Sequence, residues 1–578
     1  MKLIEALKTL NGMKCRKGEE LTYFLATGLS PLHLKTFLTA ELGLHFTGQA
    51  ITIRTGLYGD FLGNLDRLAD ADADTAILLI EWSDLDPRFG IRSSVQWTPD
   101  LLADILSTVR ARASQIQRAI EETSIRLPLV VCFPTLSLPP LSFIPGWQSS
   151  SFELEVKSIV QSLSSKASQC GQVRVLSSQR LDLISPLKQR FDVESELRTG
   201  FPYKLPHASA LAALLACLVR NPTPKKGLIT DLDDTLWRGI LGETGIDGIS
   251  WDLDHHSQMH AFYQRLLGAL SAEGVLIGVA SKNDRSLVEE ALCRSDLVLS
   301  RSGIFPIEAS WGRKSQAVGR ILETWNVGPE SVVFVDDSPM ELAEVGAAYP
   351  QVECIQFPTN DDAAIYDVVV RLRDLFGKCA ILEEDSLRVE SIRHLRIVTP
   401  TRGVANETPT AFLDHAEAET SFSFTTAPLD PRALELVNKT NQFNLNGKRY
   451  TETSWRKYFL HPASFLMIAS YRDKYGPLGK VGVVAGCRNG TRISIDTWVM
   501  SCRAFSRRIE YRCLEELFTK FDVSVIEFAY MKTEKNEPLR EFFSDILGAA
   551  PWPGCSISRP VFEECLRRSG EPQKVTNE

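Results

Sequence analysis

Short apolar runs alternate with stretches of helical periodicity over the first two hundred or so residues. Tyr23-Phe24-Leu25-Ala26, Ala76–Ile80, Leu129–Phe133 and Val173–Leu176 each read as a parallel strand covered on both faces, and the intervals between them are long enough for crossover helices. That pattern predicts a doubly wound α/β domain over residues 1–222. The Ala- and Leu-rich stretch His207–Arg220 predicts a helix, which Asn221-Pro222-Thr223-Pro224 stops, marking a boundary. The alternation resumes over 223–380, with strands at Gly227–Thr230, Leu276–Ala280 and Ser331–Val335 that each run into a polar cluster. Ligands of open α/β sheets bind at the carboxyl ends of strands, so this second domain is where chemistry is expected. A charged helical stretch at Ile381–Arg396 and a polar run predict a helical linker over 381–414. The third region, 415–578, has strand-like runs at Phe465–Ala469, Gly482–Ala485 and Ile493–Ile495 and a helix-like stretch at Arg508–Phe521, a mixed α+β pattern. There is no internal repeat.

A chain of 578 residues is too long for one core, and about 100–200 residues per domain predicts three or so. The balance of 64 basic against 72 acidic residues argues against nucleic acid as a partner. Twelve cysteines, with no CxxC pair, are too dilute for a disulfide scaffold and are expected to be reduced, mostly buried thiols. The chain opens without an apolar leader and contains no stretch of about 18 apolar residues, so a soluble, cytoplasmic protein without a membrane span is expected.

The informative string is Leu228-Ile229-Thr230-Asp231-Leu232-Asp233-Asp234-Thr235, where an apolar strand runs straight into three carboxylates. Such clustering is repulsive unless a cation neutralises it, and a hard divalent ion with oxygen ligands suits the donors. An isolated Asp-x-Asp is more often an acidic turn, but this one has company. Fifty residues on, the second strand ends in Ser281-Lys282-Asn283; Lys314 follows Trp311-Gly312-Arg313; the third strand ends in Asp336-Asp337. A carboxylate nucleophile, a phosphate-binding hydroxyl, a charge-neutralising ammonium and metal-holding acids are what phosphoryl transfer requires.

In that order these motifs resemble the haloacid dehalogenase superfamily. The resemblance implies that Asp231 attacks phosphorus, that Asp233 protonates the leaving oxygen and then activates water, and that Ser281 and Lys314 hold the phosphoryl group. It further implies Mg²⁺ on Asp231, the Asp233 carbonyl, Asp336 and Asp337, with Thr235, Lys282 and Asn283 as substrate contacts. The interval between the first two motifs is too short for a large cap domain, and Trp237–Trp251 reads as a flap hairpin over an open site.

Asp231–Gly245 and Phe334–Leu342, with Leu436–Tyr450, Met500–Glu510 and Lys532–Phe543, resemble the FkbH-like family of glyceryl-loading enzymes. The resemblance implies an SGNH-hydrolase-like first domain, a phosphatase domain and a C-terminal domain like N-acetyltransferases. It also implies a function: dephosphorylation of 1,3-bisphosphoglycerate, a phosphorylated three-carbon substrate, and loading of glyceryl as a thioester on the phosphopantetheine of an acyl carrier protein in polyketide-type biosynthesis. Where an N-acetyltransferase carries a glycine-rich pyrophosphate loop, this chain has Arg503, Arg507 and Arg508, which either meet a phosphate or form a solvated basic turn. Cys502 is the candidate for a covalent glyceryl intermediate, with a buried structural thiol as the alternative. Asn438, Asn441, Gln442 and Asn444 suggest a hydrogen-bonding substrate or carrier surface, or else a polar loop. In the first domain Leu25–His33 lacks the Gly-Asp-Ser of SGNH hydrolases and no convincing Asp-x-x-His precedes His207, so that domain is expected to be non-catalytic. Two other readings stand beside this one: a small-molecule phosphatase whose outer domains bind partners, and a scaffold with a vestigial site.

Overall fold

The structure is a computed structural model that describes residues 1–13, 20–95, 98–141, 144–378, 418–426, 429–473, 476–501, 504–505 and 507–568. The linker expected over 381–414 lies outside the described residues. The chain forms two compact units: Met1–Pro222 with Thr451–Arg456, and Thr223–Tyr450 with Lys457–Glu578.

In the first unit, β1 (Glu20–Ala26), β2 (Ala50–Thr55), β3 (Thr75–Leu79), β4 (Leu129–Cys132) and β5 (Val173–Val175) form a sheet in the order β2-β1-β3-β4-β5, and every pairing is parallel. All residues of β3 and β4 are buried, as the continuous apolar runs require when helices cover both faces. Helix Leu205–Arg220 ends at Asn221, whose left-handed backbone (φ 46°) caps it.

A buried polar network sits beyond the carboxyl ends of β3 and β4. The Glu81 carboxylate accepts from Thr135 N (3.0 Å), from the Thr135 hydroxyl and from Tyr203 OH (2.8 Å). His207 lies between Ser185 Oγ (2.9 Å from Nδ1) and Thr135 Oγ1 (3.1 Å from Nε2), and all three are buried. Arg190 donates to the Ser185 and Thr135 carbonyls, each at 2.7 Å. Nothing in this set is left for a ligand. Burial, and then the Arg190 charge, lower the His207 pKa to about 3. The unfolded histidine titrates near 6.5, so stability that the neutral ring supplies above that pH is lost as pH falls toward 3, by up to about 1.4 kcal/mol per unit. Asp84, raised to about 7 by burial, works in the opposite direction, so the informative quantity is a difference. A His207→Gln chain should be less stable than wild type at pH 8, and the gap in melting temperature should narrow by pH 5. A gap independent of pH would mean that His207 does not ionise on unfolding.

The second unit carries two sheets. The first contains β6 (Gly227–Thr230), β7 (Leu276–Ser281), β8 (Ile304–Ala309), β9 (Val332–Asp336) and β10 (Glu353–Gln356), all parallel, in the order β10-β9-β6-β7-β8. Strands β6, β7 and β9 are buried throughout, and their alternate residues enter two cores. Leu228, Ile277, Val333 and Val335 face helices Gln258–Ala272 and Asp362–Phe376; Ile229, Leu276, Val332 and Phe334 face helices Lys314–Trp325 and Pro339–Ala348. Trp325 lies flat on this second face because β6 and β7 carry glycine beneath it. A Cβ at Gly227 would come within 2.5 Å of its ring, and one at Gly278 within 2.8 Å.

The second sheet contains β11 (Glu419–Phe424), β12 (Phe443–Asn444), β13 (Ser464–Asp473), β14 (Gly476–Asn489), β15 (Arg492–Met500), β16 (Val525–Phe528) and β17 (Ser556–Ser558). It is mixed: β15 and β16 run parallel and the other neighbours antiparallel. Helices Ile509–Phe521 and Glu537–Leu547 pack on it around Trp498 and Phe543. No helix among the described residues is long and apolar enough to cross a membrane. Of the nine described cysteines only Cys132, Cys513 and Cys555 are buried, so thiols are less enclosed than expected, because several sit on helix surfaces and at element ends.

Candidate phosphoryl-transfer site

Strand β6 delivers Asp231 one residue past its end, β9 ends in Asp336 and is followed by Asp337, and β7 ends in Ser281. Because the strands are parallel and adjacent, all four side chains emerge at one edge of the sheet. Asp231 N donates to Val335 O at 2.9 Å, which continues the β6–β9 ladder and fixes the first carboxylate beside the second. Lys314 opens helix Lys314–Trp325, and its ammonium lies 2.7 Å from Asp231 Oδ2 and 2.5 Å from Asp336 Oδ2. All three side chains are buried.

One carboxylate oxygen each from Asp231, Asp336 and Asp337 lies within 4.8 Å of the others. Asp231 Oδ1 is buried without a hydrogen-bond partner, although the other oxygen of the same group meets Lys314. A buried acceptor left open beside two further carboxylates is a fitting place for a divalent cation. The electrostatics agree. Burial raises the Asp231 pKa to about 7, with Lys314 opposing and Asp336 adding to the rise. Burial and the charges of Asp231 and Asp234 raise Asp337 to about 6. Burial alone would lower the Lys314 pKa, but the two carboxylates outweigh it and raise it.

Asp233 is held differently. Its Oδ1 accepts from the Trp237 indole (3.0 Å) and from Leu241 N (3.1 Å), and its Oδ2 accepts from Asn283 Nδ2 (2.9 Å). Asn283 Nδ2 also donates to Ser281 Oγ at 3.1 Å, which ties the second motif to the first. Asn283 therefore positions two site residues. Neither this role nor that of Trp237 was read from the sequence, although Trp237 stands four residues after Asp233, within reach across one turn. Thr235 is fully buried and its Oγ1 has no partner, so it faces no open surface. Lys282 is paired with Glu341 at 2.7 Å.

The segment Trp237–Trp251 is not the expected hairpin. One antiparallel bridge joins Arg238 to Ser250, and between them lie a short helix at Leu241–Thr244 and a 3₁₀ turn at Ile246–Gly248. Glycine at 239, 242, 245 and 248 leaves too few side chains for cross-strand pairs, so the segment coils. Its size leaves no room for a cap domain within this segment. Exposed Trp311 and Met340 flank the chain positions of Lys314 and Asp337.

No family model matches the chain, and no curated protein does. Among solved structures it is similar to the N-terminal part of BF1531 from Bacteroides fragilis, which contains a phosphatase domain complexed with Mg. The identity is 20%, the match covers 66% of this chain and 98% of that one, and the TM-score is 0.51. The chain shares that fold. A putative GDSL-like lipase from Parabacteroides merdae (12% identity, 36% of this chain and 97% of that one, TM-score 0.23) and an uncharacterized protein from Corynebacterium glutamicum (18% identity, 27% and 98%, TM-score 0.19) are too distant to bear on the fold.

Away from this sheet, the structure separates the amides expected to form a substrate surface. Asn438 exchanges hydrogen bonds with the Tyr450 backbone (2.8 and 3.0 Å). Asn444 is buried, donates to Thr440 O at 3.0 Å and accepts from Asn446 N and Gly447 N. Both amides hold turn backbone, in line with the polar-loop alternative for these two. Asn441 and Gln442 instead line a cavity. Arg507 lies 3.6 Å from Asp473 and over the Tyr471 ring, and Arg508 stacks on Tyr511 in a left-handed backbone conformation. Cys502 and Arg503 lie outside the described residues.

Proposed function

We propose that the chain is a Mg²⁺-dependent phosphatase of the haloacid dehalogenase type and a member of the FkbH-like family. On this reading it removes phosphate from 1,3-bisphosphoglycerate and transfers glyceryl to the phosphopantetheine thiol of an acyl carrier protein. The observation that carries the proposal is the buried Lys314 ammonium between Asp231 and Asp336, with Asp337 beside them and Asp233 two residues on. Asp231, Asp336, Asp337 and the Asp233 carbonyl would hold the ion, which supplies positive charge to the phosphoryl oxygens.

Asp231 attacks phosphorus as the phosphate–oxygen bond breaks, and Asp233 gives the leaving oxygen its proton. Water, deprotonated by Asp233, then releases phosphate from the aspartyl group. Trp237 and Asn283 keep the Asp233 carboxylate aimed through both steps. Ser281 donates to a phosphoryl oxygen, and Lys314 balances the charge that builds up there. The C-terminal sheet, read as an N-acetyltransferase-like domain, would receive the acyl group, with Cys502, Arg503 and Arg507 as the candidates there. Its thiol transfer needs no metal, since an acyl phosphate is already activated toward a thiolate.

The experiment is intact-mass analysis of holo carrier protein incubated with the chain, Mg²⁺ and bisphosphoglycerate, with phosphate release followed in parallel. A glyceryl mass gain is expected; release of the ester phosphate should stop in EDTA and return with Mg²⁺, with Ca²⁺ a poor substitute because it tolerates looser geometry, while the acyl phosphate displaced by the thiol leaves without metal. Undiminished release in chelator removes the metal site. Phosphate release with no gain on the carrier reduces the function to a phosphatase.

A further inference from the structure

Three buried polar side chains of helix Gln258–Ala272 are all spent on the short segment that carries Asp231 and Asp233. They are His260, Tyr263 and Gln264, whose spacing puts them on one face of the helix. His260 Nδ1 lies 2.9 Å from the Thr235 carbonyl, and because a carbonyl only accepts, that nitrogen carries the proton. Gln264 Nε2 donates to Leu236 O at 2.9 Å, while its Oε1 accepts from Val298 N (3.0 Å) and Leu299 N (3.4 Å), which anchors the amide from behind. Tyr263 OH donates to Thr230 Oγ1 at 3.1 Å, and Thr230 Oγ1 in turn donates to Asp231 O at 2.8 Å. Hydrocarbon side chains would pack on this core face without the cost of burying polar groups, so the three bonds call for a reason.

The segment they hold is not a relaxed turn. The amides of Thr235, Leu236 and Trp237 converge on Leu232 O at 3.2, 2.8 and 3.2 Å. Asp234 has a left-handed backbone (φ 48°), which a residue with a side chain seldom adopts and which persists only where the surroundings over-determine it. Asp231 is fixed by the β6–β9 ladder, but Asp233 lies past the end of β6, inside this turn. Two of the groups that bind its carboxylate, the Trp237 indole and Leu241 N, belong to the chain that follows the turn and shift with it.

We infer that His260, Tyr263 and Gln264 are positioning residues for phosphoryl transfer: from one helix face they hold the Thr230–Leu236 backbone so that Asp233 meets the leaving oxygen. Each acts through the backbone or the Thr230 hydroxyl and not on the substrate. This role rests on the phosphatase reading of Asp231 and Asp233.

The test compares two esters at saturating Mg²⁺. 4-Nitrophenyl phosphate loses a stable phenolate that needs no proton, whereas 2-phenylethyl phosphate loses an alkoxide that Asp233 must protonate, so a misplaced acid penalises the second ester more. In His260→Leu, kcat/KM for the alkyl ester should fall at least about tenfold further than for the aryl ester. His260→Asn, whose amide nitrogen can stand in for Nδ1, should bring the ratio back toward wild type. Tyr263→Phe should move the ratio in the same direction as His260→Leu. It removes one oxygen and keeps the ring against Phe357 (5.1 Å between centroids), so it decides the matter if His260→Leu loses the wild-type circular-dichroism spectrum. Equal losses on both esters, or an unchanged ratio, overturn the inference, because a merely structural role reduces the folded fraction without regard to the leaving group. Release that survives Asp231→Asn overturns the phosphatase reading itself, and the positioning role with it.

Discussion

Asp231→Asn is expected to lower phosphate release by about 10⁴-fold or more while leaving the chain folded, because loss of a covalent nucleophile removes the reaction path itself. The amide has the shape of the carboxylate but cannot attack phosphorus. Folding should tolerate the change. Lys314 keeps its bond to Asp336, and a carboxylate that burial penalises has been removed. A circular-dichroism spectrum like wild type together with release below detection is the expected pair of results. Retained turnover above about 1% would sink the nucleophile assignment, and loss of the spectrum would show that Asp231 is a structural anion first.

Lys314→Met should act on the fold as strongly as on the chemistry. The ammonium is buried between two carboxylates, and removing one partner of a buried ion pair typically costs about 3–5 kcal/mol. Asp231 already titrates near 7 with Lys314 present, because burial disfavours its charge. Without the lysine both carboxyls hold their protons to higher pH. A carboxyl whose folded pKa is raised stabilises the fold below its unfolded pKa, and that contribution is lost as pH rises through the folded value. The stability gap between wild type and Lys314→Met should therefore widen from pH 5.5 to pH 8 in urea unfolding with EDTA present. Equal gaps at both values would mean that the carboxyls do not take up the lost charge as protons.

Asp231, Asp233, Ser281, Lys314, Asp336 and Asp337, which the structure brings together, could be picked out in the chain because each stands close to where an apolar run stops or a helix starts. Strands β6, β7 and β9 are central, buried on both faces, and so continuous in hydrophobicity that their ends are visible within a residue or two. Strands β2, β8, β10, β11 and β17 were not read, and all five lie at sheet edges. An edge strand is half-exposed and mixes polar with apolar residues, as the alternation of Glu419–Phe424 and the pattern of Ala50–Thr55 show. Central β16 also escaped, being four residues long with a charge in the middle.

The sequence by itself determined the central strands of the two parallel sheets and the placing of carboxylate, hydroxyl and carboxylate pair at strand ends, with the ammonium at a helix start. Those are local facts, carried by hydrophobic runs and by the residues that interrupt them. Only the tertiary structure decided which polar side chains are already engaged. Asn438 and Asn444 look like Asn441 in the chain, yet two hold turn backbone and the third pairs with the Glu330 and Arg449 side chains. Asn283 and Trp237 became the partners of Asp233 because a turn brings the indole back and β7 lies beside β6. An amide's hydrogen-bond partners are set by what folds against it, and that is a property of contacts between distant segments, which local pattern does not contain.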